Sequence, residues 1–223
     1  MAILLMAVAY AALLIFYVGV SIRFIIYLGG GGPPVPRKKR RLSNMLLAIL
    51  DIFLLRRLFK ANPGIWPGAW GFHISFILVF LGHLRFFYFH VPDWMIVLAS
   101  ITPYAAVVLI ASLVYIFVYR LLLERGKYSS VYNLLLTGGI FSLALSGFLL
   151  AQFFRPDIKP AKDFMMGLFS FHIISLPPNW LFPLHFLLAF IVLAFLPTHI
   201  FTAPFITIEA RRRREETEGI LHD

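Results

Sequence analysis

Five stretches of this chain, residues 1–27, 70–90, 94–119, 132–154 and 180–208, are apolar for about the twenty residues that a helix needs to cross ~30 Å of hydrocarbon. Inside a bilayer every backbone N–H and C=O must be paired within its own segment, so each stretch reads as a transmembrane helix. Composition excludes the alternatives. Hydrophobic residues make up 61% of the 223 and charged residues 13%, about half the charged share of a soluble domain. Disordered chains are poor in the aromatic residues that abound here, 24 of them phenylalanine. The first stretch has no basic start and outruns the apolar core of a secretory signal, so it is expected to remain as a span. The fold class is an all-α membrane protein of five transmembrane helices.

Basic residues orient those helices. Sixteen of the 20 Lys and Arg fall on one side: Arg23, segment 28–69, the loop 120–131 and the tail 209–223. Arg85, Arg155, Lys159 and Lys162 hold the other. The basic side is the cytoplasmic one, which puts the N-terminus outside and the C-terminus inside a multi-pass protein of the cell (cytoplasmic) membrane. The net charge of +10 thus sets topology, and no nucleic-acid partner is expected. Span two, 70–90, runs outward and span five, 180–208, runs inward. Within 28–69 a glycine run and Pro33, Pro34 and Pro36 precede Arg37-Lys38-Lys39-Arg40-Arg41, the composition of a flexible basic linker. Residues 42–60 then read as a helix lying in the inner interface. A crossing there would put Asp51 at the bilayer centre, at a cost of about 3 kcal/mol. Outside, 155–179 holds a second, amphipathic segment too short to span.

Cysteine is absent, which excludes disulfides, thiolate metal sites, covalently attached haem and any iron–sulfur cluster held by this chain. Histidine remains. His73 and His83 lie in span two, His185 and His199 in span five, at depths where polar groups are costly and mark function. Along a helix His73 and His83 are about 15 Å apart and His185 and His199 about 21 Å. Because the two spans run in opposite directions, depth pairs His83 with His185 near the outer face and His73 with His199 near the inner face. Each pair turns through less than about 90° on its own helix, so all four rings can point into one gap. Pro183 and Pro197, two residues before their histidines, are candidates to bend span five and absorb the difference in rise. Two stacked pairs of imidazoles are what two six-coordinate haems require, a dihaem b helical bundle. Zinc takes three or four ligands at one depth, and each depth here offers two. Hydrogen bonding of each ring to a neighbouring helix is the plainer alternative.

Gly82, next to His83, and the stripe Gly139, Ser142 and Ser146 with Gly138 and Gly147 offer either a flat face for a porphyrin or close helix packing. Arg85, two residues past His83, either pairs with a haem propionate or reaches to the interface.

These residues resemble a known family. Two histidines ten apart in span two, and the stretch Leu184-His185-Phe186-Leu187-Leu188 through Phe195-Leu196-Pro197-Thr198-His199-Ile200-Phe201-Thr202-Ala203-Pro204, resemble the gamma subunit of respiratory nitrate reductase. They resemble equally the membrane cytochrome b subunits of sulfite-reductase-associated (DsrM) and heterodisulfide reductase complexes. The nitrate branch has a longer interval between its span-five ligands, whereas here Thr198 alone separates Pro197 from His199, so the resemblance leans to the sulfite or heterodisulfide branch. It implies two b haems, held outside by His83 and His185 and inside by His73 and His199. It also implies exchange with a membrane quinone, of menaquinone type or methanophenazine, and a cytoplasmic iron–sulfur subunit, heterodisulfide reductase-like or ferredoxin-like, as electron partner. No catalytic residue is assigned to the chain itself. A quinone at the outer haem needs titratable groups open to water, and His90 and His172 are the candidates. Two other functions compete: a proton or ion transporter that uses intramembrane histidines, and a plain membrane anchor. The spans contain almost no Asp or Glu and no inverted repeat, which counts against transport.

Overall fold

The computed structural model describes residues 1–29, 49–123 and 131–198. All regular structure among them is helical. Helix α1 is Ala2–Gly29, α2 Arg56–Ala61, α3 Trp66–His83, α4 Asp93–Leu122, α5 Val131–Leu149, α6 Ile158–Ser170 and α7 Leu181–Phe195. A 3-10 turn, Leu84–Phe87, prolongs α3, another, Leu196–Thr198, follows α7, and a π turn, Leu150–Phe154, ends α5. Among the described residues four helices are long and apolar enough to cross a membrane: Ala2–Ile26, Trp66–Phe87, Asp93–Leu122 and Val131–Phe154. The chain is a multi-pass membrane protein. The expected fifth span runs past residue 198 and so leaves the described residues, as do the basic run 37–41, part of the 120–131 loop, His199 and the tail 209–223.

Two compact units divide the chain. The first takes Met1–Ala12 and Pro67–Val192; the second takes the described residues of Leu13–Trp66 and those from Leu193. In the first, large apolar side chains such as Phe80, Tyr104, Val107 and Leu135 are exposed, as a lipid-facing surface requires. Its most deeply buried large side chains are Phe164, Met95 and Leu168. They come from α6 and the first turn of α4, so the densest packing lies where the amphipathic helix closes on the spans. Phe164 meets Phe182 and Phe186 edge-on, at 5.8 and 5.3 Å between ring centres. Tyr10 Oη donates to Leu168 O at 2.6 Å and its ring stacks on Phe171. Lys162 Nζ donates to Phe89 O at 3.0 Å. Three different segments thus hold α6 in place.

In the second unit the described part of the expected 42–60 helix is not one helix. Residues 49–53 are helical, Leu55 adopts a left-handed conformation at φ 48°, and α2 resumes at Arg56. A left-handed leucine costs roughly 1–2 kcal/mol. Trp66 Nε1–H offsets part of this by donating to the freed carbonyl of Leu54 at 2.7 Å, and its ring packs edge-on against Phe59. Arg56, Arg57 and Lys60 on α2 are exposed.

Span two also differs from its expected 70–90. It starts at Trp66, its α-helix ends at His83, and the 3-10 turn ends at Phe87. His90 therefore does not continue the helix of His83; it sits in the connection before Pro92, the N-cap of α4. Lys162 Nζ, donating to Phe89 O at 3.0 Å, holds the connection that follows the early stop.

Candidate haem site

Helices α3 and α7 bring His83 and His185 side by side, with ring centres 6.2 Å apart and ring planes 28° from parallel. The hydrogen bonds decide which nitrogen each ring presents. His83 Nδ1 lies 2.7 Å from Val79 O, one turn back on its own helix. A carbonyl oxygen only accepts, so Nδ1 carries the proton and Nε2 keeps a bare lone pair. Ser146 Oγ donates to Leu143 O at 3.0 Å, which leaves the same oxygen free to accept from His185 Nδ1, also at 3.0 Å. His185 too then presents an unprotonated Nε2. Metal-bound histidines are oriented in this way, by an outer partner on the second nitrogen.

The residues fit a haem. Two imidazoles sharing one iron along a common axis have ring centres roughly 6 Å apart, from two metal–nitrogen bonds of roughly 2 Å and the size of the rings themselves. The 6.2 Å separation agrees. Gly147 lies against His185: a Cβ there would stand 2.8 Å from Cε1, so only glycine lets the ring come this close to α5. Arg85 Nε is buried with no hydrogen-bond partner, and the guanidinium lies 5.0 Å from the centre of the Phe86 ring. A guanidinium whose Nε–H has no hydrogen-bond partner, two residues from His83, suits a propionate. Among the described residues no three His, Asp or Glu side chains converge as a zinc site needs.

His73 follows the pattern of His83. Its Nδ1 donates to Ala69 O at 2.6 Å, again freeing Nε2. Its expected partner His199 lies outside the described residues. Pro183 falls in the first turn of α7, where its missing N–H breaks no bond, so it supplies no bend; Asn179 Oδ1 caps that turn by accepting from the amides of Leu181 and Phe182. Pro197 lies in the 3-10 turn just before His199, where the helix tightens.

The small residues divide between the two readings offered for them. Gly82 packs against Thr102 of α4 and Gly139 against Val192 of α7, which is helix packing. Gly138 has open space beside it. Ser146 and Gly147 serve His185 directly. The role of Ser146 was not foreseen, because nothing in a serine seven residues from a glycine separates a packing position from a ligand's hydrogen-bond partner. His90 and His172 are both exposed, and His172 Nδ1 donates to Ser170 O at 2.8 Å. Between the 3-10 turn after His83 and α6 is a cavity of about 370 Å³ lined by Leu84, Phe87, Met166 and Phe169. Neither candidate histidine is among those lining residues.

No family model matches the chain, and no solved structure matches it. It is similar to a curated protein of Archaeoglobus fulgidus named Hdr-like menaquinol oxidoreductase cytochrome b-like subunit, at 26% identity over 180 residues, 67% of this chain and 53% of the relative. A protein of the same name from Archaeoglobus profundus is 26% identical over 153 residues, 60% of this chain and 44% of the relative. The chain spans about half the length of these relatives. Their name belongs to the heterodisulfide-reductase-like side of the resemblance and away from the nitrate reductase gamma subunit.

Proposed function

We propose that this chain is the membrane cytochrome b subunit of a heterodisulfide-reductase-like respiratory complex, moving electrons between a membrane quinol and a cytoplasmic iron–sulfur subunit through two b haems. The observation that carries this reading is the pair His83 and His185, 6.2 Å apart with both Nδ1 protons tied down. His83 and His185 would hold a haem iron between their Nε2 atoms, and the haem would serve as a one-electron carrier. Val79 O and Ser146 Oγ fix the tautomers, and Arg85 would neutralise a propionate. Phe164, fully buried against Phe182 and Phe186, keeps water from the outer end of α7. His73 and His199 hold the second haem.

Quinone exchange belongs at the outer end, where the apolar cavity beside Leu84 suits a quinone ring or its isoprenoid tail. His90 and His172, both exposed, relay protons between that site and water. The relatives' name supports menaquinol as the quinone. The partner subunit docks on the inner face, where Arg56, Arg57 and Lys60 are exposed. The test is to purify the chain from membranes and reduce it with a menaquinol analogue. Two b-type haems per chain, reduced by the quinol, are expected; a colourless protein would return the histidines to a transport or anchoring role.

A further inference from the structure

Asn179 does two things with one side-chain amide. Its Oδ1 accepts from the amides of Leu181 and Phe182, the bonds that start α7. With the oxygen so engaged, the nitrogen is the free arm, and Nδ2 donates to Phe154 O at 3.3 Å, at the end of the π turn that closes α5. The next residue repeats the link: the Trp180 ring packs edge-on against the Phe154 ring, with 5.5 Å between centres. Capping needs only the first arm. The second ties two helices together at their outer ends, across twenty-five positions of sequence that include α6. A connection of that length does not fix how far one helix slides along the other.

Contacts further along the two helices show what the tie holds. Gly139 lies against Val192, Gly147 against His185, and Ser146 Oγ accepts from His185 Nδ1. Gly139 to Ser146 is seven residues and so is His185 to Val192, so α5 and α7 run antiparallel in step. From Ser146 out to Phe154 is eight residues and from His185 out to Asn179 is six, roughly 12 and 9 Å of helix. The π turn takes up part of this difference by placing one extra residue in its turn, with Arg155 N–H reaching back to Leu150 O at 2.8 Å. The reach of the Asn179 side chain spans the rest. Between apolar helices in lipid no hydrophobic force opposes sliding. A slip of one residue, about 1.5 Å, is half the 3.0 Å length of the His185–Ser146 bond, enough to misalign it.

We infer that Asn179 is a positioning residue for His185: it sets the register of α7 on α5 at which Ser146 and Gly147 meet the imidazole. This role serves the haem reading of His83 and His185 and rests on it for its spectroscopic test. Asn179→Ser keeps a neutral cap of similar strength on α7 but has no arm to reach Phe154 O, so the helix still forms. The full chain is compared with Asn179→Ser, Ser146→Ala and the double variant by haem dissociation and low-spin electron paramagnetic resonance. Asn179→Ser is expected to speed dissociation of the haem that is lost in His83→Ala by about threefold or more, below the roughly 10–100-fold that follows loss of a ligand's own outer partner. Its low-spin signal broadens and that of the other haem does not change. Because Asn179 acts through Ser146, its loss is expected to add little to Ser146→Ala, whereas distant substitutions with no shared role add. Additive losses, or lowered thermal stability with this haem's signal unchanged, would overturn the proposal. The register is also read without haem. The chain has no cysteine, so spin labels attach only at Leu135→Cys of α5 and Ile191→Cys of α7, both exposed positions. Asn179→Ser is expected to shift or spread the distance between them by about 1.5 Å, one residue of rise. An unchanged distance would overturn the proposal whether or not haem is present, and a haem-free unmodified chain would overturn the haem reading itself.

Discussion

Ser146→Ala tests how His185 is held. Ser146 is buried, and its Oγ is the acceptor 3.0 Å from His185 Nδ1. Alanine removes the acceptor and leaves a buried N–H unpaired, at about 1–3 kcal/mol. Loss of an outer partner of a metal-bound histidine typically weakens the metal site about 10–100-fold, equivalent to roughly 1.4–2.7 kcal/mol, so two independent estimates agree. The ligand also becomes less basic, which destabilises the oxidised haem and raises its midpoint. The assay is a redox titration of the purified chain with haem quantified as the pyridine haemochrome. The outer haem is expected to titrate at a higher potential and to dissociate at least tenfold more readily, while the inner haem is unchanged. Ser146→Thr keeps the hydroxyl and stays near the unmodified chain. Equal affinities and potentials in Ser146→Ala and the unmodified chain would refute the assignment of Ser146 as the partner that orients His185.

Three further substitutions separate ligand geometry from packing. Gly147→Ala puts a methyl 2.8 Å from His185 Cε1 and is expected to displace the ring, read as loss of the low-spin outer-haem signal with the inner one kept. Gly82→Ala instead collides with Thr102, so it is expected to lower thermal stability by the roughly 1–3 kcal/mol of overpacking before it alters haem spectra, with Thr102→Ala restoring stability. Tyr10→Phe deletes the bond to Leu168 O and is expected to cost about 0.5–1.5 kcal/mol locally, seen as faster amide exchange in α6 with haem content unchanged.

Different kinds of signal explain what was readable in the residues. Long apolar runs place α1, α3, α4 and α5 because burial in lipid depends on summed hydrophobicity, which a single sequence carries in full. Chain direction and helix rise suffice to set His83 opposite His185, since both are one-dimensional quantities. Break points are another matter. The helix through His83 was expected to reach His90, and residues 42–60 were expected to form one helix. Neither the early stop nor the left-handed Leu55 has a local marker, because each is chosen by tertiary partners: Lys162 at Phe89 O and Trp66 at Leu54 O. Gly82 shows the same limit. Beside a candidate ligand it reads as room for a cofactor, yet its neighbour is Thr102.

The central claim is that histidines from span two and span five hold haem in pairs set by depth. The most direct measurement is haem content and low-spin electron paramagnetic resonance spectra of four single variants, His73→Ala, His83→Ala, His185→Ala and His199→Ala. His83→Ala and His185→Ala are expected to lose the same one of two signals, and His73→Ala and His199→Ala the other. Loss of different signals in His83→Ala and His185→Ala, or two intact low-spin haems in either, would contradict the account.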